Sequence, residues 1–103
     1  MHTPLQLAGK RVLLTLLASL ASVVLVACAS APVQEMSDAR QAIRAAQDAG
    51  AANTASKPLA DAQTALNRAE TQLNRRFFRA ARRSAEEAHT KAVEALQQAR
   101  DTK

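Results

Sequence analysis

Ser56-Lys57-Pro58-Leu59-Ala60-Asp61-Ala62-Gln63-Thr64-Ala65-Leu66-Asn67-Arg68-Ala69-Glu70-Thr71-Gln72-Leu73 decides the fold. Leu59, Ala62, Leu66, Ala69 and Leu73 recur at intervals of 3, 4, 3 and 4, which puts them on one side of an α-helix. Ser56 is placed to cap that helix, and Pro58 is admitted in its first turn.

Upstream the same spacing returns. Met36, Ala39, Ile43, Ala46 and Gly50 form a second narrow stripe, with Arg40, Arg44, Gln47 and Asp48 off it. Ser37 and Asp38 suit the start of this helix, and Gly50 suits its end, where a positive φ is needed. Ala51 to Lys57, with Asn53, Thr54 and Ser56, reads as the turn, so the two stripes face each other in an antiparallel pair.

Downstream the register breaks. Strict continuation past Leu73 would put Arg76, Ala80, Arg83, Glu87, Thr90 and Glu94 on the seam, a mostly polar set. The usable face is Phe77 or Phe78, Ala81, Ala85, Ala88, Ala92, Leu96 and Ala99, flanked by Val93. Either the chain turns near Asn74 to Arg76 and makes a third helix, or one long helix absorbs the shift as a stutter. A single helix from Leu59 to Lys103 would run about 67 Å, far beyond what the first helix covers, and unsupported helices draw most of their stability from packing. Three helices are therefore favoured. The fold class is all-α: an alanine-rich antiparallel helical hairpin or three-helix bundle, preceded by an export signal.

That signal occupies the first 27 residues. Met1 to Arg11 carries Lys10 and Arg11 and no acid, and Val12 to Ala27 then runs sixteen residues without a charge. A short basic region before a compact apolar one is the order of a secretory signal. The apolar run falls short of the roughly 20 residues that span a bilayer. It is also apolar on all sides, unlike the single stripe of a helix in a small domain.

The run ends at Leu25-Val26-Ala27-Cys28, which resembles the lipobox of bacterial lipoproteins. The resemblance implies diacylglycerol on the thiol of Cys28, cleavage before it, and commonly acylation of the new amino group, with fatty acids such as palmitate. Domains then divide as residues 1–27 signal peptide, 28–35 lipidated cysteine and tether, and 36–103 helical domain. Cleavage removes Lys10 and Arg11, lowering 14 basic residues to 12 against 9 acids, so the net side-chain charge falls from +5 to +3. With a single cysteine, no disulfide can form within the chain. Ala29 and Ser30 follow Cys28, without the aspartate familiar as an inner-membrane retention signal. The resemblance thus implies an outer-membrane anchor facing the periplasm, with the periplasmic face of the inner membrane as the alternative.

Met36-Ser37-Asp38-Ala39-Arg40-Gln41-Ala42-Ile43, the Ala49-Gly50-Ala51 break and Pro58-Leu59-Ala60-Asp61-Ala62 occur in that order. With the later alanine ladder they resemble a family of alanine-rich helical domains of unknown function found in short bacterial envelope lipoproteins, over residues 35 to 100. Some relatives carry a peptidoglycan-binding domain that this sequence lacks. Arg75-Arg76-Phe77-Phe78 departs from the glycine- or acid-containing turn more usual there.

Enzymatic chemistry is not expected, nor is a cofactor. His89 is the one histidine outside the signal, lipidation would consume Cys28, and Glu86 and Glu87 diverge around a helix. No glycine-rich phosphate loop and no closely spaced His/Cys motif is present. Glu87 with Lys91, Arg82 with Glu86 and Arg83 with Glu87 have the spacing of surface ion pairs.

The interaction feature is a basic cluster, Arg75, Arg76, Arg79, Arg82 and Arg83, with Phe77 and Phe78 inside it. It would attract lipid headgroups, lipopolysaccharide phosphate, cell-wall carboxylates or an acidic envelope protein. The bland reading is a solvated arginine face whose stems cover a thin bundle, with Glu70, Glu86 and Glu87 offsetting the charge. Nucleic acid is not expected as a partner, because export removes the chain from it. An alanine core buries little area per residue, and a chain of this size retains about 3 to 5 kcal/mol at best. A second copy or another envelope protein could supply further burial.

Overall fold

Pro32 starts the helical domain. The computed structural model describes residues 9–17 and 31–103, which belong to two separate units divided after Ser30. In the first unit, residues 9–17 are helical (α1) and Val12, Leu13, Leu14, Leu16 and Leu17 are exposed. Leu25 to Cys28, the stretch that resembles a lipobox, lies outside the described residues. In the second unit the elements are α2 (Val33–Asp48), α3 (Ala51–Thr54), α4 (Ser56–Asn74) and α5 (Phe78–Asp101).

α2 begins before the predicted cap at Ser37, and the reason is local. The ring of Pro32 holds φ at −79°, its side chain is fully buried, and its carbonyl accepts the Met36 N–H at 3.0 Å. Ser37 therefore sits inside the helix, where its hydroxyl accepts from Gln41 Nε2 at 3.3 Å. Gly50 ends the helix as its composition predicts, at φ 87°, with its N–H donating to the Gln47 carbonyl.

The predicted turn is partly helical. α3 fills Ala51–Thr54, and Ala51 and Ala55 are buried, so this connector closes one end of the core instead of looping over it. Ala55, at φ −146°, takes the N-cap position of α4, and no side chain caps it; Ser56 is already the first helical residue. The expected serine cap is displaced because burial of Ala55 sets where α4 starts.

The second turn is sharp. Arg76 adopts φ 62°, the left-handed conformation, directly after Arg75 closes α4. Phe77 N–H donates to the Gln72 carbonyl at 2.9 Å and Arg76 N–H to the Leu73 carbonyl at 2.9 Å, the paired bonds of a Schellman ending. Across the turn, Ser84 Oγ donates to Gln72 Oε1 at 2.7 Å, satisfying the buried hydroxyl of α5 with a group of α4. Three helices thus pack together, with α5 lying against both α2 and α4.

Left-handed backbone costs a residue with a Cβ about 1–2 kcal/mol, whereas glycine adopts it freely and gives back a little through unfolded-chain entropy. Arg76→Gly should therefore stabilise the domain by about 0.5–1 kcal/mol, and a thermal melt should rise by ~2–8 °C. A fall in the melting temperature would mean that the Arg76 side chain contributes more to the fold than its backbone costs.

The core has three layers. Met36, Ala69 and Ala85 form the one nearest the second turn, with Leu66 and Leu73 at its edge. Ala39, Ala65 and Ala88 form the middle. Ile43, Ala46, Leu59, Ala62, Ala92, Ala95 and Ala99 join the connector alanines in the third. Shared layers at Met36/Ala69/Ala85 and Ala39/Ala65/Ala88 make α2 and α5 run parallel, with α4 antiparallel to both.

Candidate functional site: the arginine turn

Three ion pairs each tie one pair of long helices. Arg40 Nη2 meets Glu70 Oε1 at 3.1 Å between α2 and α4, Arg68 Nη1 meets Glu87 Oε2 at 3.0 Å between α4 and α5, and Arg82 Nε meets Glu35 Oε1 at 3.0 Å between α5 and α2. Each is at least partly exposed and contributes at most about 1 kcal/mol. Their larger consequence is positional.

Glu70 and Glu87 were expected to offset the arginine cluster. Both point instead to arginines elsewhere, Arg40 and Arg68. Glu87 accordingly pairs with neither Lys91 nor Arg83, and Lys91 turns to Glu94 at 3.3 Å. Glu86 lines a shallow recess of about 240 Å³ between α2 and α5, together with Glu35, Asp38, His89 and Thr90.

The five arginines therefore separate into one and four. Arg82 is half-buried and committed to Glu35. Arg75, Arg76, Arg79 and Arg83 are exposed and have no carboxylate within ion-pair distance among the described residues. Arg75 and Arg76 form the turn itself, Arg79 lies in the first turn of α5, and Arg83 stands one turn further along the same face.

α5 starts at this point with no side-chain cap and no acid in its first turn. The partial positive charge of its exposed amides adds to that of the guanidinium groups. Phe77, 57% exposed, sits among them, while Phe78 is half-buried, so one aromatic leans inward and the other stands at the rim. The sequence located the cluster; the fate of Arg82 depends on Glu35, 47 residues away in the chain, which no local spacing reveals.

Among the described residues no group of three or more His, Cys, Asp or Glu side chains is arranged to hold a metal ion, and no helix is long and apolar enough to cross a membrane. His89 is exposed beside the buried Ala88 and Ala92 stripe.

Three packed helices with an alanine core and one cationic end define a small all-α domain. The chain belongs to the family described as a domain of unknown function (DUF4398), whose model matches residues 34–103. The matched span nearly coincides with the stretch, residues 35 to 100, that carries the resemblance to helical domains of unknown function, and Cys28 lies before it. No curated protein and no solved structure is similar enough to match.

Proposed function

We propose that the chain is a lipoprotein of the cell envelope, anchored through Cys28, whose helical domain has a structural or protein-interaction role. The observation that carries this reading is the position of Cys28. It ends sixteen uncharged residues that follow Lys10 and Arg11, and it stands three residues before Ala31, where the domain begins. Leader, anchor, short tether and domain follow one another in that order. A helical family domain with its own core is consistent with a tethered interaction module. The anchor is read as lying in the outer membrane, facing the periplasm, with the inner membrane's periplasmic face as the alternative.

Intact mass spectrometry of the native protein tests this. The expected mass is that of residues 28–103 carrying a diacylglyceryl group and an amide-linked acyl chain. An unmodified chain starting at Met1 would overturn the proposal.

A second reading, binding of an anionic envelope ligand at the arginine turn, is favoured by one observation. Arg75, Arg76, Arg79 and Arg83 are exposed while Glu70 and Glu87 are engaged with Arg40 and Arg68.

A further inference from the structure

The end of the bundle that carries the arginine turn is also the end at which the chain enters the domain. Met36, four residues into α2, shares a layer with Ala69 near the end of α4 and Ala85 near the start of α5. Glu35 reaches Arg82 at 3.0 Å. Val33, 72% exposed, and Phe77, 57% exposed, are therefore apolar groups at the same end as Arg75, Arg76, Arg79 and Arg83.

We infer that this end of the domain is a docking surface for anionic phospholipid headgroups, with the four exposed arginines contacting phosphate and Phe77 entering the interface. Three features select a lipid surface over a soluble acidic partner. The charge is concentrated at one end of the bundle instead of along a helix groove, and the aromatic among the arginines is exposed, as suits a group that sits at headgroup level. Arg76 holds a left-handed position that glycine fills at lower cost, so a guanidinium stands there against backbone preference, which marks the turn as an anion site without choosing between the two partners.

The third feature is reach. Cys28 is three Cα–Cα steps from Ala31, at most about 11 Å. A lipid on Cys28 would hold this end of the domain, and not the far end near α3, within headgroup distance. Only this third feature rests on the anchored reading; the affinity of the surface for lipid stands on its own residues.

Among the described residues every buried side chain of the domain lies between Pro32 and Ala99, so residues 31–103 carry their own core and can be studied without the leader. Sedimentation with vesicles should show binding to phosphatidylglycerol-containing bilayers and none to pure phosphatidylcholine, with release by added salt. Replacing Arg75, Arg79 and Arg83 together by glutamine should weaken binding roughly a hundredfold, since each basic residue near an anionic surface is worth about fivefold. Arg76→Gly should weaken it about fivefold while the fold stays intact or gains stability.

The chain has no tryptophan, so Phe77→Trp gives a single emission reporter. Its emission should move to shorter wavelength on anionic vesicles and be quenched by brominated lipid. Equal binding to neutral and anionic vesicles, or a triple glutamine variant that binds unchanged, would overturn the inference. So would retention on immobilised polyglutamate without vesicle binding, which would instead identify an acidic protein as partner. Failure of the intact-mass test would remove the lipid on Cys28 and leave these vesicle results standing.

Discussion

Ala88→Leu should lower the thermal midpoint of the domain by about 10–20 °C, the largest stability effect expected from a single apolar substitution here. Ala88 belongs to the middle layer, where it meets Ala39 and Ala65, one alanine from each long helix, all essentially inaccessible. With only methyl groups between them, the helices approach closely at this waist, and the flanking layers are built at that separation. A leucine adds three carbons at a site already enclosed by Ala39 and Ala65 and inaccessible to solvent. Overpacking of this kind costs about 1–3 kcal/mol, a large share of the roughly 3–5 kcal/mol available to a core of this size. Each kcal/mol shifts the midpoint of a domain this small by about 4–8 °C. Ala60→Leu, on the exposed side of α4, provides the control and should leave the midpoint within a few degrees. Equal midpoints for the two variants would show that the alanine waist is not closely packed.

The same waist explains which parts of the core the sequence made legible. Four of the five stripe positions of α2 are core: Met36, Ala39, Ile43 and Ala46 are all buried, while Gly50 is half-buried and lies past the end of the helix. On α4 and α5 the period is right, but the choice between neighbours favours the larger residue too often. Leu66, Leu73 and Leu96 were placed on the seam; all three are only partly buried, while Ala65, Ser84 and Ala95 go inside. Hydrophobicity marks the side of a helix that faces its partners, yet close approach selects the smallest side chain on that side and moves leucines to the rim, where they cover the gap between helices. Leu66 does this along the bundle, bordering all three layers.

The turns follow a related rule. Gly50 announces its left-handed conformation by its identity, whereas Arg76 reaches the same region with no glycine to signal it. Its turn could be inferred only from the change of register after Leu73. At the arginine cluster, composition and spacing gave the residues, and the fold supplied the missing term, the destination of each nearby carboxylate. Glu70 and Glu87 are spent across helix interfaces, a pairing set by tertiary packing over separations of 30 and 19 residues that local spacing does not encode.

On the anchored reading proposed above, Cys28→Ala should abolish incorporation of labelled fatty acid and remove the protein from the membrane fraction, an all-or-none effect where the arginine substitutions act by degrees. A single acyl chain binds membranes only marginally, with an association constant of about 10⁴ M⁻¹, while a second makes anchoring stable. Cys28 is the only thiol in the chain, so the proposed attachment of diacylglycerol has no other cysteine to use. Without it, the domain retains only its cationic end, whose attraction is reversible and falls with salt. A variant chain that keeps its leader has sixteen uncharged residues, fewer than the roughly 20 that span a bilayer, as its remaining membrane affinity. The measurements are fatty-acid labelling and membrane fractionation of the full chain in its native host, with the Arg75, Arg79 and Arg83 glutamine variant alongside. Labelling should vanish in Cys28→Ala and persist in the arginine variant, because one removes the covalent bond and the other only the contact beside it. Undiminished labelling of Cys28→Ala would place the lipid on another residue, and the reading of Cys28 as the anchor would fall while the arginine turn kept its own test.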